Sequence, residues 1–153
     1  MPEIEFVVLA NHAEAINGLL YLSGAGWTDV RTTRGPDGRL GSVHMGIGVS
    51  ILVGWNETNH VYPLEFQMIH EDGGAPVLGG QGQIEAGRPP GQKAGSDLRS
   101  VLAIGADVSF PKPGGYEFRV TLGEKVKSVS FRVHQNPAQA QSLGPSAIPP
   151  MPA

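Results

Sequence analysis

Five histidines, fourteen acidic residues and no cysteine define what reactive chemistry this chain of 153 residues can carry. Without thiolates, a metal centre or an acid–base pair has to come from imidazoles and carboxylates. The best-spaced set is His12, Glu14 and His44. His12 and Glu14 stand two apart, so an extended chain presents both on one face, and His44 lies in a second extended run that can meet the first. Two imidazoles and one carboxylate would suit a transition metal. Spacing constrains such a set little, however, and paired strand histidines are more often structural, so a metal-dependent enzyme ranks third among the functional readings. His60 and His70 fit less well, because the strand between them sets them roughly 30 Å apart. "HEDGG", which carries Glu71 and Asp72, is then a turn with solvated charges. Ser42 or Ser50 with His44 as base lacks both an orienting acid and a nucleophile elbow. No catalytic residue and no cofactor follows from these patterns, and the protein is expected not to be an enzyme.

A second group of residues suits binding. Trp55 leaves a strand where the turn "GWNETNH" begins, and an exposed ring there can stack on a pyranose. Tyr21, Trp27 and Tyr62 are weaker versions of the same idea. Arg88, Lys93 and Arg99 surround the loop "GRPPGQKAGSDLR", and Arg31, Arg34 and Arg39 surround "RTTRGPDGR". Either loop can meet a small anion or an acidic partner, although Asp37 and Asp97 are mixed in and solvated loops commonly carry such charges. Gly24 and Gly26 do not make a dinucleotide fingerprint, because Asp29 occupies the third glycine position and no helical period follows. Nor does a lysine follow them as a phosphate loop requires. "SGAGWT" therefore reads as a strand whose glycines form a bulge or admit a neighbour, with Trp27 as an anchor.

The elements that position these residues are strands. In "SVHMGIGVSILVG", Val43, Met45, Ile47, Val49, Ile51 and Val53 recur at every second position, while the other face holds Ser42, His44, Gly46, Gly48 and Ser50. That period is extended chain with one face on a core, and the small residues opposite mean either that another backbone lies close or that the face is thinly covered. In "GYEFRVTLGEKVKSVSFRV", a two-residue Gly123-Glu124 turn of type II′ pairs Phe118 with Val129 and Tyr116 with Phe131. It also puts Glu117, Arg119, Ser128 and Ser130 on the opposite, wet face. Weaker strands are expected at Glu5–Ala13, Leu19–Arg31, Tyr62–His70, Leu78–Glu85 and Leu98–Phe110, with turns rich in Gly, Pro, Asn and Asp between them. Many of the 22 glycines and six of the 13 prolines fall in those turns, and five further prolines lie beyond residue 136. The expected fold is all-β: a two-sheet antiparallel sandwich, immunoglobulin-like or C2-like, of seven to eight strands over residues 1–135.

Residues 136–153 are uncharged and rich in Pro and Ala. They cannot donate a regular ladder, so they are expected to be disordered or to dock as an extended arm through Leu143, Ile148 and Met151. A net charge of −3 argues against a dedicated nucleic-acid or anionic-membrane surface. The opening "MPEIEFVVLA" is too short in its apolar run for a signal sequence or a membrane span, which leads to the expectation of a cytoplasmic location.

The pieces "ANHAEAINGLLYLSGAGWTDV", "VYPLEFQMIHEDG", "GRPPG" and "PGGYEFRVTLGEKVKSVSFRV" together resemble a family of small bacterial proteins of unknown function, common in actinobacteria, over about residues 3 to 134. The resemblance implies a compact sandwich and carries over no activity, substrate or catalytic residue. The leading functional expectation is a non-enzymatic binding or assembly module acting through protein–protein contacts, including self-association by a strand edge or the C-terminal tail. The alternative is a carbohydrate or small-anion module built on Trp55, Arg88, Lys93 and Arg99.

Overall fold

The computed structural model describes residues 1–38 and 40–136. Arg39 and the Pro/Ala-rich tail, with the docking-arm reading attached to it, lie outside the described residues. The described residues are all-β, with ten strands in three sheets. A three-stranded sheet has the order β1 (Glu3–Ala10), β5 (Ser42–Val53), β8 (Leu98–Ser109). A five-stranded sheet has the order β4 (Asp29–Thr33), β10 (Lys125–Asn136), β9 (Gly114–Leu122), β6 (Val61–His70), β7 (Leu78–Glu85). The third is the hairpin of β2 (His12–Ile16) and β3 (Leu19–Ser23).

The alternation in β5 does what its period requires. Met45, Ile47, Val49, Ile51 and Val53 are all at most 1 % exposed. They share one core with Leu64, Met68, Tyr116, Phe118, Val120, Leu122, Phe131 and Val133 from the larger sheet. The β9–β10 hairpin adopts the expected register, Phe118 opposite Val129 and Tyr116 opposite Phe131. At its turn Gly123 has a φ of 62°, and Glu124 is not in the positive-φ region, which is the pattern of a type II′ turn.

Two expected strands are each divided in two, giving ten instead of seven or eight. Asn11 interrupts Glu5–Ala13, and its amide is held by the Ser23 carbonyl at 2.9 Å, so β2 turns away from β1 and pairs with β3. The expected strand Leu19–Arg31 breaks at "GAGWT". Gly24 and Gly26 have φ of 64° and 97°, Gly24 admits the Asn11 side chain where a Cβ would lie 2.9 Å from its Cγ, and the chain passes there from the hairpin to the five-stranded sheet. The sheets are also not purely antiparallel: β4 runs parallel to β10, Asp29 beside Arg132 through Thr33 beside Asn136. A crossing chain that enters the edge in the direction of β10 can pair only that way. Asn136, placed in the tail by composition, closes β10.

The small outer face of β5 is explained by the hairpin. β2 crosses it so closely that a Cβ on Gly46 would lie 2.6 Å from the His12 carbonyl carbon, and one on Gly48 would lie 2.8 Å from Leu22 Cδ2. Asn17 and Gly18, at φ of 51° and 76°, make the hairpin's own turn. Outward, the hairpin shows Ile16, Leu19 and Tyr21 to solvent.

Candidate functional site

His12 and His44 do meet. β2 crosses over β5 at Gly46, which stacks the two rings with centroids 6.2 Å apart. Each imidazole is engaged by a carboxylate of its own: His12 Nε2 with Glu14 Oε1 and His44 Nδ1 with Asp107 Oδ1, both at 2.9 Å. The result is two parallel imidazole–carboxylate pairs in solvent. Among the described residues, no group of three or more His, Asp or Glu side chains is placed to hold a metal ion. Asp107 was not foreseen, because its place beside His44 depends on the β5–β8 register.

Trp55 and Arg88 are brought together, but in contact with each other. Arg88 stacks 4.1 Å from the Trp55 ring centroid, donating from Nε to Thr58 Oγ1 at 2.7 Å and from Nη2 to the Trp55 carbonyl at 2.6 Å. The guanidinium thus covers the ring face that a sugar would use, and its donors close the turn that carries Trp55. Arg99 belongs to another cluster. It forks onto Glu5, Nε to Oε1 and Nη2 to Oε2 both at 2.8 Å, and the buried Ser50 hydroxyl donates to the same carboxylate at 2.9 Å. These bonds, Arg99 first and Ser50 second, hold the Glu5 carboxyl below its ordinary value. Ser50 therefore donates to Glu5, and His44, the base suggested by the sequence, is engaged by Asp107 instead. Lys93 enters its turn only through its carbonyl, which accepts from Ser96. In the other loop, Arg34 donates to the Gly38 carbonyl and to Gln135.

His70 is buried and structural. Its Nδ1 accepts from the Asp72 amide at 3.0 Å, so the ring proton sits on Nε2, 3.1 Å from the Pro113 carbonyl. Trp27 is anchored by Nε1 donating to Asn11 Oδ1 at 3.0 Å.

A concavity that was not anticipated lies on the wet face of the five-stranded sheet. It holds about 680 Å³ above Ile69 and Ser130, with Glu71, Glu117, Arg119 and Arg132 around it. The charges pair off, Arg119 with Glu117 at 3.1 Å and Arg132 with Glu71 at 3.6 Å. At its rim Asp29 accepts from His134 at 2.6 Å and from Thr28, and these bonds lower its pKa. Glu117 and Arg119 stand two apart on one strand, a spacing the sequence shows, whereas the pairs Arg132–Glu71 and His134–Asp29 join residues far apart in the chain and have no such signal.

The remaining feature is the edges of the sheets. β4 has only five residues. Three of the eight residues of β7 are glycine. β1 is bulged at Glu5, and Lys127 Nζ donates to the Glu5 carbonyl at 3.1 Å. Bulges, lysines and shortness are how natural sheets keep an edge from pairing with another chain. β8 has none of these. It runs twelve residues in unbroken register with β5, contains no proline, and ends the sheet, so its far side has no strand partner among the described residues. Leu102 and Ile104, opposite Val49 and Ile47 and so turned toward the core, remain only partly buried.

Fold and surface together define an all-β protein whose polar clusters are internally paired and whose β8 edge has no strand paired to it among the described residues. The chain belongs to a family of unknown function, DUF6941, which matches residues 5–134. It matches no curated protein. No helix among the described residues is long and apolar enough to cross a membrane.

Proposed function

We propose that the protein is a non-enzymatic binding or assembly module that works through protein–protein contact, taking an extended strand on the open edge of β8. In this reading the three- and five-stranded sheets are the two faces of a β-sandwich around one core, left unclosed along β8. The observation that carries it is the edge itself: twelve residues, regular, without proline or bulge, and flanked by half-covered Leu102 and Ile104. An added strand would satisfy the outward amides and carbonyls and cover those side chains, and main-chain bonds of this kind supply affinity with little demand on partner sequence. The carbohydrate or anion alternative has less behind it, since Arg88 already occupies the ring of Trp55 and Arg99 is engaged by Glu5.

The test is to pan a displayed library of extended peptides against the full chain and map the bound state by amide hydrogen exchange. The proposal expects new protection at alternate amides between Leu98 and Ser109. Protection confined to the cleft around Arg119 and Arg132 would refute it.

A further inference from the structure

We infer that the strand taken up by β8 is β8 of a second copy of this chain, antiparallel, about a two-fold axis at Ala103. The inference rests on the strand-addition reading and names its partner. In an antiparallel pair, residues directly opposite share the same hydrogen-bonding direction and the same face, so a strand pairing with itself must centre on a residue and not between two. For Leu98–Ser109, centring on Ala103 keeps Leu98 through Val108 paired, nearly the whole strand.

Charge selects that register. β8 carries two charged side chains, Arg99 and Asp107, placed symmetrically about residue 103. The axis at Ala103 puts Arg99 of each copy opposite Asp107 of the other, twice. Moving the axis to Leu102 would bring Asp107 against Asp97 of the second copy, and moving it to Ile104 would leave both charges opposite uncharged residues, Ser109 and Val101. Opposite charges across a strand pair are favourable and like charges are not.

Both side chains are free enough for the contact. Arg99 is 63 % and Asp107 74 % exposed, and Glu5 and His44 hold them through one edge each, Arg99 by Nε and Nη2 and Asp107 by Oδ1. On the core-facing side the same register sets Leu102 against Ile104 and Leu98 against Val108 of the second copy, continuing the apolar row that β8 leaves half covered. The product is one continuous six-stranded sheet, β1-β5-β8-β8-β5-β1, with a closed two-fold interface.

The chain has no cysteine, which makes the axis directly addressable. In full-length Ala103→Cys, the two introduced thiols face each other across the axis, so mild oxidation yields a covalent dimer on a non-reducing gel. Gln83→Cys, on the edge of β7, does not cross-link. In sedimentation, Asp107→Lys and Arg99→Glu each weaken dimerisation at least tenfold. Mixing the two restores a heterodimer, because it contains one native pair and one with the signs exchanged; circular dichroism of each variant confirms that it is folded. A full-length chain that sediments as monomer at roughly 0.1 mM, well above the range of a specific contact, overturns the inference. A peptide of residues 97–109 titrated onto that monomer then separates the two levels. Protection of β8 by the peptide leaves strand addition standing with a different partner, and its absence removes both.

Discussion

Gly46 and Gly105 stand opposite each other in the β5–β8 ladder and face the same side of the sheet, yet the structure assigns them opposite responses to alanine. At Gly46 the new methyl would lie 2.6 Å from the His12 carbonyl carbon and 2.9 Å from His12 Cα, and nearer still to the Ala13 amide. These are backbone atoms, so they cannot swing aside. The hairpin must lift from the sheet, an overpacking cost of about 1–3 kcal/mol. At Gly105 a methyl meets nothing within 4 Å and the backbone is not in the positive-φ region. There alanine reduces the entropy of the unfolded chain and stabilises by about 0.4–1 kcal/mol. For a domain of this size each kcal/mol moves Tm by about 2–4 °C. Calorimetry should therefore find Gly46→Ala lower than the parent by about 2–12 °C and Gly105→Ala slightly above it. Hydrogen exchange should localise the first loss to residues 12–23. Equal melting temperatures for the two variants, or a loss spread evenly over both large sheets, would show that β2 does not lie on Gly46.

Two further outcomes follow from the polar clusters. Arg88→Ala uncovers the Trp55 ring and leaves the Thr58 hydroxyl and Trp55 carbonyl without their donor, so tryptophan emission should shift to the red and stability fall by about 1–2 kcal/mol. An unchanged spectrum would refute the stacking. Glu5 has a folded pKa below its ordinary 4.5, so the folded state binds fewer protons than the unfolded chain just below that value, and stability contributed above it is lost as pH falls through the folded pKa. Acid unfolding of Glu5→Gln should accordingly be less steep across that window than that of the parent, with lower stability at neutral pH. Parallel pH profiles would refute it.

What could be read in advance was local. The period of β5 and the Gly123 turn act over a few residues, so Val49, Ile51, Phe118 and Phe131 were placed on the core before any neighbour was known. The small face of β5 allowed either a close backbone or a thin cover, and the contact at Gly46 is with a backbone. That face did not say whose, since the answer is a hairpin that begins only after Asn11 breaks β1. The sequence allowed His12 and His44 to meet, and they do, whereas the Asp107 carboxylate that engages His44 depends on β8 lying beside β5. Arg88, Lys93 and Arg99 were grouped by proximity along the chain, with Trp55 added as an exposed ring. Folding keeps Arg88 with Trp55 and takes Arg99 away, because Glu5 stands 94 positions from Arg99 and competes for it with two good hydrogen bonds.

By itself, then, the order of residues determined an all-β chain, its core-facing positions and most of its turns, because alternation and turn chemistry are decided by a residue and its nearest neighbours along the backbone. Only the tertiary structure decided which charges neutralise each other, that β4 joins β10 in parallel, and that β8 is left at the rim of its sheet. A strand carries the same pattern whether one or both of its sides are paired. The unpaired side of β8 on which the proposed function depends is set by where the other described strands lie and by no pattern within β8 itself.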